Sequence, residues 1–327
     1  MNNVATEQAM VRIGRLAESD TLPLLVEPAD SSLTLQAAFE DLAAVVDAQL
    51  EHVGAILFRG FRDPGREGFR EFAAAFGHPL LNYDFASTPR SELSKGVYTA
   101  TEYPPHQRIP LHNEQAYTLD WPLKIWFYCE QPAQQGGETP IADSRRIFQR
   151  LDPELRRRFA VRGLKYVRNY GNGLDLPWQR VFGTEDRNKV ESYCRSHRIH
   201  WEWKRDGELR TSQVCQAIAQ HPRTRAEVWF NQAHLFHVSG LEPAVREALL
   251  EVVEPQDLPR NVYYGDGTPI EDSALETVRG VLDEVKVIFP WRAADVLLLD
   301  NMLTAHARST FKGPRKVLVA MTESHSA

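Results

Sequence analysis

The sequence predicts a mainly β fold, a sandwich or barrel core with helices packed outside it. Short apolar runs bounded by glycine or proline stand at both ends of the central region, as buried strands do. Between them lie segments whose apolar residues recur at three- and four-residue steps, the pattern of surface helices. The length of 327 residues and an apolar fraction of 43% supply a sizeable core. No internal repeat or low-complexity tract divides the chain. A single domain is therefore expected over residues 26–327, after a loosely packed lead-in over residues 1–25.

Taken in order, Leu35, Phe39, Leu42, Val46 and Leu50 mark an amphipathic helix. Gly54 to Phe61 reads as a short buried strand, and residues 66–76 as a second helix closed by Gly77. Residues 83–143 are rich in proline, with strand-like runs at 125–129 and 140–142. Asp143 or Ser144 can cap a helix reaching Gln149. Asp152-Pro153 opens another, with proline at the first helical position, where its missing N–H costs nothing. Further helices are expected near 185–197, 243–253 and 272–284, and further strands at 226–231, 285–289, 296–299 and 317–321.

Composition removes several function classes. The net charge of −6 is spread along the chain, and no basic stripe of the kind nucleic-acid binding requires is present. Arg156-Arg157-Arg158 reads as a solvated helix face. Cys129, Cys194 and Cys215 are odd in number and lack C-x-x-C spacing, which argues against a disulfide scaffold or structural zinc and for reduced thiols in the cytoplasm. Residues 1–7 do not resemble a secretory signal, and no run of about 18 apolar residues offers a membrane span.

Chemistry enters at Leu111-His112-Asn113-Glu114-Gln115. In a strand, side chains at i and i+2 share a face, so His112 and Glu114 can reach one point. A second histidine from elsewhere would complete a two-histidine, one-carboxylate facial triad, which leaves adjacent positions open for non-heme iron(II), a co-substrate and oxygen. On its own His-x-Glu carries little weight in a chain with 11 histidines and 44 acidic residues. Support comes from the apolar run Val296 to Leu299, which leads into Asp300-Asn301. His306 follows five residues beyond Asn301, and a second apolar strand follows Arg315.

With these residues together, the chain resembles the taurine dioxygenase/clavaminate synthase (TauD/TfdA) branch of the iron(II)/2-oxoglutarate oxygenases, and within it the SyrP-like amino-acid hydroxylases. The resemblance rests on residues 54–61, 111–117, 136–140, 229–236, 264–267 and 295–321 in that order, covering roughly residues 50–322. It implies a double-stranded β-helix (jelly-roll) core. It implies His112, Glu114 and His306 as ligands of iron(II), with 2-oxoglutarate and dioxygen as co-substrates. Thr139 maps to the family's co-substrate threonine. Arg315 is the preferred anchor for the distal carboxylate of 2-oxoglutarate, with a planar fork that suits it. It stands only nine residues after His306, closer than in several relatives, and Arg308 is the competitor.

The implied reaction couples oxidative decarboxylation of 2-oxoglutarate, giving succinate and carbon dioxide, to hydroxylation of an unactivated C–H bond. Glu114 stands where related halogenases carry a small residue, so hydroxylation is favoured over chlorination; desaturation and epoxidation stay open. An amino-acid-like substrate, free or presented on a carrier protein in natural-product biosynthesis, is the implied partner. Arg168, Asn231 and Arg308 are candidates to grip it. His234 and His237, three apart, are assigned structural roles, since no third ligand stands near them. Two other classes compete: a zinc hydrolase, which would need a further catalytic carboxylate, and a non-catalytic scaffold, which would have lost a ligand.

Overall fold

The structure, a computed structural model, describes residues 10–17, 22–82, 90–171, 175–205 and 207–327. Its largest sheet has eight strands. Their order is Val11–Arg15, Leu24–Pro28, Ala55–Phe58, Val296–Asp300, Asp120–Gln131, Lys316–Ser326, Val97–Thr99 and Glu92–Ser94. A three-stranded sheet of Ile109–His112, Thr304–Arg308 and Ile141–Asp143 carries the predicted histidines. A four-stranded sheet of His200–Trp203, Leu209–Cys215, Leu164–Tyr170 and Arg260–Tyr264 shares no strand with either and packs against the three-stranded sheet. This is a mainly β fold with flanking helices, built on a jelly-roll core.

The large sheet is apolar on both faces, which explains why Val296 to Leu299 reads as an unbroken hydrophobic run. Ile56, Phe58, Trp126, Tyr128, Val296, Leu298, Leu318 and Ala320 pack with Leu42, Val46 and Leu50 of the helix Phe39–Val53 and Phe69 and Phe72 of the helix Gly65–Ala74. Their neighbours Ala55, Leu57, Ile125, Phe127, Leu297, Leu299, Val317 and Val319 form a second cluster on the other face. Phe127, on that face, lies 5.1 Å from the His306 ring, so the second layer is the floor of the histidine site.

The structure differs from the sequence reading at three places. The lead-in over residues 1–25 contains ordered sheet: Val11–Arg15 pairs with Leu24–Pro28, which runs parallel to Ala55–Phe58. Val11–Arg15 is an edge strand with Ile13 exposed, so it shows no buried periodicity; residues 1–9 and 18–21 lie outside the described residues. No strand spans 285–289: the helix Asp272–Val285 takes up the start, and only Val287 pairs, in a single bridge with Ile141. The four-stranded sheet was not expected. Leu164, Tyr166, Arg168 and Tyr170 all point inward on one of its strands, and the arginine breaks the apolar alternation. Among the described residues no helix is long and apolar enough to cross a membrane.

Candidate active site

His112 and His306 are direct cross-strand partners in the antiparallel pair of Ile109–His112 with Thr304–Arg308. Residues opposite each other share a face, so the imidazoles meet, with ring centroids 4.4 Å apart. Glu114 arrives differently from the expectation. The strand ends at His112, and Glu114 lies in the turn that follows. Asn301 holds it there: the Asn301 side chain accepts from Glu114 N at 2.8 Å and donates to Glu114 O at 3.0 Å and Pro122 O at 2.8 Å. Asn113 ties the same turn to Asn301 O at 2.6 Å. Ligand atoms of His112, Glu114 and His306 lie within 4.8 Å of one another, and Glu114 Oε2 is 3.9 Å from His306 Nε2.

The electrostatics suit metal ligation. Burial lowers the pKa of His112, against which Glu114 and a hydrogen bond to Pro110 act only in part. Burial, then the neighbouring His112 and Arg90, holds His306 well below its ordinary range. Both imidazoles are therefore neutral, the form that binds metals. His112 Nδ1 lies 2.8 Å from Pro110 O, which places its proton on Nδ1 and leaves Nε2 as the donor. Two neutral imidazoles and a carboxylate, converging within a buried site, fit iron(II). His234 backs this arrangement, with Nε2 2.7 Å from Leu111 O. His237 contacts Ser239 and Asp272 instead, so the two share no ligand point.

A cleft opens beside the triad, lined by Arg90, Thr101, Phe127, Thr139, Arg308 and Arg315 among others. Thr139 is buried, and its Oγ1 accepts from Trp291 Nε1 at 3.0 Å, which leaves the hydroxyl proton to donate into the cleft. Arg315 Nε donates to Gly137 O at 2.8 Å; among the described residues its terminal nitrogens have no partner. Burial, reinforced by Arg308, brings its pKa down to about 10. The glycine pair explains this geometry. A Cβ at Gly136 would lie 2.2 Å from Thr310 O, and one at Gly137 would lie 3.0 Å from Arg315 Cδ. Both also hold positive φ.

Arg308 and Asn231, candidates to grip the substrate, are both engaged within the protein. Arg308 donates to the carbonyls of Thr101, Tyr103, Pro104 and Gln107, so its fork latches the 101–107 loop over the cleft. Asn231 donates to Ala217 O and accepts from Ala233 N, which engages both ends of its amide. Arg168 is buried on the four-stranded sheet, opposite Arg260 in register, with Asp175 at 4.0 Å. Sequence reading missed Arg90, whose Nη2 lies 2.6 Å from Glu114 Oε2, and also Trp291, Asn113 and Asn301. Only Asn301 left a signal, as the polar pair Asp300-Asn301 at the end of a buried strand.

Fold and site together define a non-heme iron- and 2-oxoglutarate-dependent dioxygenase. The sequence profile of the taurine catabolism dioxygenase TauD, TfdA family matches residues 20–322, and the chain belongs to that family. It is 42% identical over 278 residues to the dapdiamide synthesis protein DdaC of Enterobacter agglomerans, covering 85% of this chain and 84% of that one. A clavaminate synthase-like protein of Arabidopsis thaliana is 32% identical over 322 residues, 93% and 94% of the two chains. Among solved structures, PvcB, described as an Fe, alpha-ketoglutarate dependent oxygenase from an isonitrile synthetic pathway, shares the fold. Its TM-score is 0.56 at 17% identity, over 98% of this chain and 94% of that one. AAD-2 in complex with Mn(II) and N-oxalylglycine superposes with a TM-score of 0.54 at 14% identity, over 97% and 98%.

Proposed function

We propose that the enzyme hydroxylates an unactivated C–H bond of an amino acid or amino-acid-derived substrate, free or carrier-tethered, in natural-product biosynthesis. The observation that carries this reading is the convergence of His112, Glu114 and His306 beside a cleft that holds the uncompensated cation Arg315. The similarity to a dapdiamide synthesis protein favours the biosynthetic setting.

The two imidazoles and Glu114 would hold iron(II), which when bound would supply dioxygen activation coupled to conversion of 2-oxoglutarate to succinate and carbon dioxide. Arg315 receives the distal carboxylate through its terminal N–H groups, and Thr139 donates its hydroxyl proton beside it. Phe127, Val317 and Val319 wall the cleft with apolar surface, which excludes water from the oxidising centre. Arg308 fixes the 101–107 loop, so that wall stays in place through turnover. No side chain is required to move a proton. Arg168 is proposed to face the substrate from the four-stranded sheet.

Anaerobic addition of iron(II) and 2-oxoglutarate is expected to give a weak visible charge-transfer band. Under air, mass spectrometry of candidate amino acids, free and carrier-loaded, is expected to find a gain of one oxygen atom with matching succinate. His112→Ala and His306→Ala should abolish both signals in folded protein. A folded wild type without the band would overturn the assignment.

A further inference from the structure

The mechanism above leaves one buried charge of the cleft without a task. Arg90 lies with its side chain 4% exposed, and its Nη2 is 2.6 Å from Glu114 Oε2. That oxygen is the one that faces His306 Nε2 at 3.9 Å, so a fixed cation stands on the carboxylate where the two imidazoles converge upon it. Ligand atoms of all three residues lie within 4.8 Å of one another, so a cation 2.6 Å from Glu114 Oε2 stands beside the point where a divalent cation would sit and repels it.

We propose that Arg90 makes metal and 2-oxoglutarate binding interdependent: its charge weakens binding of the metal alone and favours the metal together with the dianionic co-substrate. This rests on the reading that His112, Glu114 and His306 hold the metal. With Arg90 beside it, Glu114 presents an arriving metal with an ion pair of no net charge rather than a free carboxylate. The metal and 2-oxoglutarate carry opposite charges of two, so as a pair they add no net charge near the guanidinium. Arg90 thus opposes the cation by itself and attracts the dianion that follows. At separations of a few ångströms in a buried site, one unit charge alters such an affinity by tenfold or more. The consequence is an enzyme that retains metal poorly until its co-substrate is present, which limits uncoupled oxygen reduction at a bare metal.

The test is equilibrium binding of Mn²⁺, read by the electron paramagnetic resonance signal of the free ion, with and without saturating 2-oxoglutarate. In the wild type the co-substrate should tighten Mn²⁺ binding by tenfold or more. Arg90→Gln keeps a hydrogen-bond donor near Glu114 and removes the charge. It should bind Mn²⁺ alone several-fold more tightly and lose most of the enhancement. Arg90→Lys keeps the charge and should keep the enhancement within about threefold. Thermal unfolding of each protein confirms that folded chains are compared. An unchanged enhancement in Arg90→Gln, or its loss in Arg90→Lys, overturns the proposal while leaving the ligand assignment intact. Mn²⁺ binding by His306→Ala equal to that of the wild type would instead overturn the ligand assignment, and the proposal with it.

Discussion

Replacing Arg315 by methionine removes a charge that the folded chain holds at a loss. A buried guanidinium whose ionisation is brought down to about 10 carries a burial penalty of roughly 3 kcal/mol. Methionine fills much of the same volume and loses one hydrogen bond to Gly137 O, an offset of about 1 kcal/mol. The ligand-free variant should therefore be more stable by about 2 kcal/mol, a rise in Tm of roughly 3–5 °C. The pH dependence carries the sign. Because the folded pKa is depressed, the penalty is present at all pH values below about 10 and fades as pH rises through it, so the gap between variant and wild type should narrow above pH 10. The same substitution removes the charge-assisted contact to the co-substrate. It should weaken 2-oxoglutarate binding by about 2–4 kcal/mol, roughly thirtyfold to a thousandfold. Thermal unfolding with and without N-oxalylglycine reads both effects: the variant should start higher and gain little from the ligand. A lower starting Tm together with an undiminished ligand-induced shift would refute the assignment of Arg315 as an uncompensated anchor.

Asn301→Leu removes two hydrogen bonds to the Glu114 turn and a third to Pro122 O, and should cost about 3–5 kcal/mol in denaturant unfolding and abolish Mn²⁺ binding; retained metal affinity would show that the turn holds without it. His234 is buried neutral, with its pKa brought to about 4 chiefly by burial. The stability it contributes is complete above about pH 6.5 and should fall as the pH drops toward 4, an acid limb that His234→Gln flattens in pH-dependent unfolding. Gly137→Ala places a Cβ at positive φ against Arg315 Cδ, and should weaken 2-oxoglutarate by about tenfold while leaving Mn²⁺ binding alone within twofold, read by titration of each.

The candidate ligands were legible because their chemistry is carried by residue type: few buried positions take histidine or glutamate without a reason, and the apolar strands beside them fixed their neighbourhood. The supports were not. Asn301 and Glu114 are 187 residues apart, and Trp291 and Thr139 are 152 apart, so each hydrogen bond exists only once the layers close. Arg90 precedes the triad with no periodic pattern around it. Glu114 itself was assigned to a strand because the i, i+2 rule gives the right convergence; the structure reaches the same point with a turn held by an amide. The histidine sheet was readable from its apolar flanks, whereas the four-stranded sheet hid behind inward-facing Arg168, Thr211 and Gln213. Arg308 shows a different limit of sequence reading. A guanidinium two residues from a ligand looks like a substrate clamp, and sequence cannot show that four backbone carbonyls already surround it.

The long ladder between Asp120–Gln131 and Lys316–Ser326 also sets the order in which the enzyme becomes dangerous. His306 lies only ten residues before that ladder begins, and its partner strand is met almost two hundred residues earlier. During synthesis, the third donor therefore emerges long after His112 and Glu114, and Val317 and Val319 of the apolar floor follow shortly after it. A chain interrupted before residue 304 would carry His112 and Glu114 yet lack the third donor, and so could not turn a stray iron ion against itself.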